Sequence, residues 1–422
     1  MSRTRVIYQN EAVYVGPSNP TGANSDIVPS HHVLKHIGNV QGVNYGINVN
    51  RQDIAMLGRR STIASPAINN PSVEFSLTYF SDSFTNEKKL GFDFNYRTGD
   101  ANYKDDTFSQ FLISGFANNE DRTADKRNFY IAISPEGSDL LDNTTGDISR
   151  DLVSGSSTSG HYTVGTLSDP ESPNFDILTF HDSYLKGYSV RGGIGSFLSC
   201  DLDYVCESIS FTMSGSGIDV KTFDPVNRSL LNTGINMILP IFARENGPSA
   251  IRPGDITLSL TETSGGAPTS GFGFDFNDIK IQSFDVSLDF ERDQLNSITH
   301  RGPIDRPIKF PVAATVQIES IIGDASSGNF ADFIEEDKTY DLDILLENTV
   351  NCSTTKNRDS AIYVRKALIQ GITYNEDIGS NKRVVTSFQV ELSPEDLSKG
   401  LFLSGVLNTG SMEKLLLESG AL

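Results

Sequence analysis

Gln41-Gly-Val43-Asn-Tyr45-Gly-Ile47-Asn-Val49-Asn-Arg51 recurs without a gap as Gln282-Ser-Phe284-Asp-Val286-Ser-Leu288-Asp-Phe290-Glu-Arg292. Apolar side chains alternate with polar ones or glycine in both, the two-residue period of a strand with one face buried. The spacing is 241 residues, and it persists outward: Ile54 falls on Leu295, Leu57 on Ile298, Arg60 on Arg301, Pro66 on Pro307, Phe75 on Val316 and Leu77 on Ile318. Register held over so long a stretch marks an internal duplication. The unit is longer than a solenoid repeat, so each copy is expected to be a domain with its own core.

A second block repeats at a different distance. Leu185-Lys-Gly187-Tyr188-Ser-Val190, followed by Gly195-Ser196, lines up with Ile369-Gln-Gly371-Ile372-Thr-Tyr374, followed by Gly379-Ser380, at a spacing of 184 residues. The first copy therefore carries 57 more residues than the second, the difference between 241 and 184, and they lie between Phe80 and Tyr184. Turn formers crowd that interval, as in 118–126 and in the Ser/Gly/Thr run 154–160 leading to Pro173. Exposed connections accept such additions because loop-closure entropy rises slowly with length, so the surplus reads as decoration rather than a third core.

Strand signals dominate the first copy at 12–15, 40–49, 72–80, 128–133, 185–190 and 197–211. They return at 256–260, 279–290, 313–322, 339–346, 361–374 and 383–392. One short helix per copy is expected, over 107–112 and 329–334, and a final helix over 411–417, each with apolar residues sharing a face. The expected fold class is mainly β: two tandem β-sandwich or barrel domains, each with one short flanking helix. The first spans 1–213 and the second 255–422 with a C-terminal tail. Between them, 214–254 reads as a linker with one docked strand at the apolar island 235–241.

A formal net charge of −20 argues against binding nucleic acid through a basic face, because Lys and Arg on phosphate supply that affinity. No run of about eighteen apolar residues occurs, so no transmembrane helix is expected. The N-terminus has Arg3 and Arg5 but no apolar core, which reads as a protein without a secretory leader, folded in a cytoplasm. Cys200 and Cys206 lie in one strand-like run, roughly 20 Å apart and beyond disulfide reach, and free thiols are expected throughout.

Chemistry-bearing motifs are sparse. The imidazoles of His31, His32 and His36 lack partners at metal-ligand spacing, so a structural or solvated role is the reading. No Walker loop, nucleophile elbow, zincin helix or dinucleotide fingerprint is present, and Gly192-Gly-Ile-Gly195 reads as a hairpin turn without a following helix. Carboxylates such as Asp201, Asp203 and Glu335-Glu336-Asp337 are too abundant for any pair to mark a glycosidase. The chain reads as a non-enzyme that needs no cofactor.

The segments 51–71 and 292–311 are the remaining feature. Each joins two strong strands, holds prolines, an apolar patch at 54–57 or 295–298, and arginines: Arg51, Arg59 and Arg60 in the first, Arg292, Arg301 and Arg306 in the second. Connections this long inside a compact β domain are usually binding loops or disordered excursions. The preferred reading is a loop that inserts into a neighbouring subunit, burying its apolar patch and setting its arginines against carboxylates. A solvent-exposed hairpin tip is the plainer one.

The Gln-x-Val-x-Tyr-x-Ile-x-Val strand, the Arg-bearing loop through Gly58-Arg59-Arg60 or His300-Arg301-Gly302, the proline before the next strand, one short helix and the closing hairpin together resemble the tail tube proteins of tailed bacteriophages. The likeness covers about 33–211 and 274–392 and rests on loose β patterns. It implies β-sandwich or barrel domains, each with a flanking helix, set six to a ring, inner strands lining a lumen, and rings stacked through the long loops. On that pattern 40–49 with 72–80, and 281–290 with 313–322, line the lumen, and the six arginines make inter-ring contacts. Two domains in one chain depart from the usual single domain and imply a trimeric ring of pseudo-sixfold symmetry, or a hexamer with outward second domains. The implied partners are further copies of the chain, tail sheath, baseplate and terminator proteins, and double-stranded DNA passing without specific binding, in a virion.

Two other readings compete. A carbohydrate-binding fibre or lectin would need exposed aromatic platforms, which the absence of any Trp weakens. Another virion β-protein, in the baseplate, tail terminator or head decoration, differs in copy number per particle.

Overall fold

The computed structural model describes residues 11–18, 31–49, 51–67, 71–81, 84–90, 92, 95–96, 126–133, 151–152, 163–165, 176–212, 219–240, 256–262, 280–300, 302–321, 338–348, 357–375, 383–392 and 399–405. Along the chain come β1 (Glu11–Pro17), β2 (His31–Val33), β3 (Lys35–His36), β4 (Val40–Asn48), β5 (Ser72–Phe80) and the short helix α1 (Thr85–Leu90). Next are β6 (Asn95–Tyr96), β7 (Lys126–Ile133), β8 (Asp151–Leu152), β9 (Thr163–Gly165), β10 (Asp176–Gly193) and β11 (Ser199–Thr212). Then follow β12 (Asp219–Asp224), β13 (Ser229–Pro240), β14 (Ile256–Glu262), β15 (Lys280–Asp289) and β16 (Val312–Ile321). The chain closes with β17 (Tyr340–Asn348), β18 (Asn357–Asn375), β19 (Arg383–Leu392) and β20 (Gly400–Gly405). The fold is mainly β, as the alternation predicts.

The two halves pair their strands alike. The first runs β1–β7–β10–β11–β5–β4 and the second β14–β17–β18–β19–β16–β15. Asn44 faces Ser76, and 241 positions later Asp285 faces Gln317. Gly187 faces Asp203, and 184 positions later Gly371 faces Ser387. Even the irregularities recur, between Val40 and Gly42 and between Ile281 and Ser283, then between Leu185 and Gly187 and between Ile369 and Gly371. Bulges re-aim a strand and are specific to a fold, so their recurrence extends the duplication from sequence to backbone.

β10 and β18 shape each half. Residues 176–184 of β10 pair with β7, whereas residues 187–193 pair with β15. β18 divides likewise, its first part on β17 and its last on β19. The bend lays one layer over the other in a sandwich-like way. Phe129 on β7 stacks on Phe75 of β5 at 4.8 Å and on Tyr204 of β11 at 4.6 Å, while Phe180 meets Phe75 at 4.6 Å. In the second half Tyr340 on β17 meets Phe388 on β19 at 6.1 Å. Among the described residues the sheet does not close into a barrel.

The helices over 107–112, 329–334 and 411–417 lie outside the described residues, and the helix that is described, α1, is only six residues long. Where the sequence predicts a linker with one docked strand, 219–240 forms a hairpin, β12 on β13, with β13 also pairing β2 and β9. Residues 235–240 of the apolar island are part of β13 rather than a lone strand because the hairpin partner comes from 219–224, where alternation is weak.

Candidate assembly surface

Eight strands make one continuous antiparallel sheet across both halves: β4–β5–β11–β10–β15–β16–β19–β18. Strand alternation sends Phe75, Leu202, Val190, Val286, Val316 and Phe388 into the core. The opposite face is polar. Across the rungs Asn44, Ser76, Asp203, Gly187 and Asp289 lie side by side, as do Thr78, Asp201, Ser189, Ser287, Thr315 and Gln389. Its carboxylates, Glu74, Asp201, Asp203, Asp285, Asp289 and Glu319, outnumber its bases, Lys186, Arg191 and Arg383.

Some of these charges are neutralised within the face. Arg191 bonds Asp285 at 2.8 Å and approaches Asp201 at 3.9 Å, and Arg383 reaches Glu319 at 2.9 Å. Thr78 donates its hydroxyl to Asp201 at 2.6 Å. Asp203 keeps a raised pKa, from partial burial first and then from Asp201, Asp289 and Glu74 around it, against the lowering effect of Lys186. Carboxylates crowded on one half-exposed face repel a polyanion held against it.

The halves join edge to edge where β10 meets β15. Gly187 faces Asp289, Ser189 faces Ser287, Arg191 faces Asp285 and Gly193 faces Ser283. Gly192 is needed there, since a Cβ at that position would lie 2.5 Å from the ring of Phe284.

The two arginine-bearing segments are extended hairpins of one design. Isolated bridges link Arg51 to Ala67 and Ile54 to Ala64, and 241 positions on link Arg292 to Ile308 and Leu295 to Asp305. The second hairpin lies on the first half. Arg292 donates from Nε to the carbonyl oxygen of Leu185 at 2.6 Å, and its guanidinium sits 5.3 Å from the centre of the Tyr184 ring. Gly302 N–H donates to the carbonyl oxygen of Pro225 at 2.9 Å, and Tyr184 donates its hydroxyl to Asp305 at 3.3 Å. Arg306 forms a largely buried ion pair with Glu207 of β11. The carboxylate that meets Arg306 therefore belongs to the same chain.

Of the other sequence-predicted arginines, Arg51, Arg59 and Arg60 lie on the exposed first hairpin, and Arg301 lies outside the described residues. The sequence reading missed Glu207 and Tyr184. No local signal marks them, because their partners stand 99 and 121 positions away.

Two buried carboxyl groups also escaped the sequence reading. Glu87, on α1, accepts from the hydroxyls of Tyr79 at 2.6 Å and Tyr188 at 3.2 Å. Burial lifts its pKa to about 7 against the lowering effect of the Tyr79, Cys200 and Tyr188 hydrogen bonds. Asp182 rises to about 6 by burial, opposed by Lys126 at 3.5 Å and reinforced by Glu207 and Asp305. Glu87 is packed between α1 and the sheet strands that carry Tyr79 and Tyr188, and Asp182 sits at the bend of β10.

No family model matches the chain, and no curated protein matches its sequence.

Proposed function

We propose that this chain is a structural virion protein, a tail tube subunit whose copies assemble into stacked rings that conduct double-stranded DNA. The observation that carries the reading is the eight-stranded sheet with one apolar face in the core and one polar, carboxylate-rich face turned outward. Such a sheet, curved with its polar face inward, gives a lumen wall that DNA slides past, since phosphate meets carboxylate and finds no basic stripe. The resemblance of the two strand pairs and their arginine-bearing hairpins to tail tube proteins supports the same role. Each chain supplies two repeats, which favours a trimeric ring of six repeats, with a hexamer as the other arrangement. The exposed first hairpin, with Arg51, Arg59 and Arg60, is the candidate contact between stacked rings or with sheath, baseplate and terminator proteins. The subunit works by shape and charge, without catalysis or cofactor.

Electron microscopy of the purified chain at high concentration tests this. Hollow rings or tubes wide enough for duplex DNA are expected. A protein that stays monomeric, or assembles without a central channel, rules the tube reading out. Presence in particles at only a few copies would move it to the baseplate or terminator.

A further inference from the structure

β15 is the second-copy counterpart of β4, and the last part of β18 is the counterpart of residues 187–193 in β10. Inside the chain, β10 holds β15. Among the described residues no strand pairs with the outer edge of β4 or with the far side of the corresponding part of β18. The sheet thus begins with the strand that is held and ends with the strand that holds.

The side chains agree. On β15, Val286 and Leu288 are each 1% exposed, while Tyr45 and Ile47 in the same places on β4 are 55% and 53% exposed. Val190 on β10 is 0% exposed, and Tyr374 in its place on β18 is 48% exposed. Tyr45 still touches the Phe180 ring at 5.5 Å, yet apolar residues that keep the register of a buried junction and remain about half exposed mark a surface completed by another molecule. An edge with its backbone groups open to pairing is the matching polar half.

We propose that β18 of one chain pairs antiparallel with β4 of a second copy of this chain, repeating the internal joint between β10 and β15. Moving the internal register by the two repeat distances gives the contact: Gly371 opposite Asn48, Thr373 opposite Gly46, and Asn375 opposite Asn44. The hairpin goes with it, so Arg51 of the second copy aims its Nε at the carbonyl of Ile369, the counterpart of Leu185. One difference is built in. Position 65 is Ser where the second hairpin has Arg306, and Glu391, the counterpart of Glu207, is paired to Lys399 at 3.1 Å. The joint between chains therefore lacks the buried ion pair of the internal one. The contact is head to tail, and closes into a ring or runs on as a filament. This inference rests on the tube-subunit reading for its partner and on the duplicated pairing for its register.

The test places Gly46→Cys and Thr373→Cys in the full chain with Cys352→Ser, and follows oxidation on non-reducing gels. A Cβ at Gly46 meets nothing within 4 Å. Opposed residues on antiparallel strands have Cα atoms about 4.5–5.5 Å apart, within disulfide reach. In one chain the two positions lie at opposite ends of the sheet, so the bond forms only between chains. Covalent oligomers are expected from this pair, and none from Gly46→Cys with Ile372→Cys, whose thiols point to opposite faces. Ile47→Lys puts a charge into the joint and should raise the concentration needed for assembly by about tenfold or more, with the unfolding midpoint of the monomer unchanged. A protein that stays monomeric, or equal cross-linking from the shifted pair, overturns the joint. Hollow assemblies that never cross-link at 46 and 373 overturn the joint and leave the tube reading standing. Cross-linked filaments without a channel support the joint and sink the tube reading.

Discussion

Arg292 and Arg51, 241 positions apart, make the same bond within their hairpins: Arg292 Nη1 donates to the carbonyl of Arg306 at 2.8 Å and Arg51 Nη1 to the carbonyl of Ser65 at 3.0 Å. Their surroundings differ. Arg292 also reaches the Leu185 carbonyl and the Tyr184 ring, while Arg51 is exposed. Arg292→Ala removes a hydrogen bond from a charged donor and a cation–π contact at the junction of the halves. We expect it to cost roughly 2–3 kcal/mol in urea unfolding, and Arg51→Ala within about 0.5 kcal/mol. Equal effects would deny the docked hairpin its role.

The Arg306–Glu207 pair is covered on both sides. Removing one partner strands the other without water, so Glu207→Gln or Arg306→Met alone should destabilise the fold by about 3–5 kcal/mol, while the double substitution costs clearly less than the sum. A double-mutant cycle by denaturant unfolding measures this. Strict additivity would mean that the two side chains do not act on each other.

Glu87 makes stability fall as pH rises. Its folded pKa, about 7, lies above the ordinary value of 4.5, so the folded state holds a proton that the unfolded state releases. Its contribution is fully kept below about pH 4.5 and is lost up to about pH 7, at about 1.4 kcal/mol per pH unit. Glu87→Gln keeps the shape and removes the proton, so its unfolding midpoint should stay flatter than that of the parent between pH 5 and 7. Parallel pH profiles for the two proteins would remove Glu87 as the cause.

Asp203 and Asp289 flank Gly187 on the polar face. The parent protein should not retain duplex DNA at physiological salt. Asp203→Lys with Asp289→Lys should, in a manner that weakens steeply with added salt. Fluorescence anisotropy with a random-sequence duplex reads this directly, and tight binding by the parent protein would contradict a repelling wall.

Much of the fold was legible in the chain. The strand around Val286, Leu288 and Phe290 alternates strictly because one face of the sheet packs on a core and the other meets water, and the strand around Val43, Tyr45 and Ile47 keeps the same alternation although Tyr45 and Ile47 are about half exposed. The bend in β10 was not legible. Asp182 there takes φ 47°, and Lys366, 184 positions later in β18, takes φ 55°. A left-handed residue inside a strand leaves no mark on composition when it is Asp or Lys rather than glycine. α1 escaped for a related reason: six residues are too few for helical periodicity to show. Glu87 looks like any surface carboxylate in the sequence, and becomes buried only because Tyr79 and Tyr188 arrive from strands that fold over it.

By itself the sequence determined that the chain is duplicated, that its copies are built of one-sided strands, and that their hairpins carry arginines at matching positions. These follow from local chemistry: side-chain period, turn formers and charge are written where they act. The tertiary structure alone decided that residues 187–193 of β10 take β15 as neighbour, that Arg292 and Arg306 clasp the first half, and that Arg51 with the edge of β4 stays exposed. Strand edges offer the same backbone groups everywhere, so which edge meets which is set by long-range packing and not by any stretch of residues.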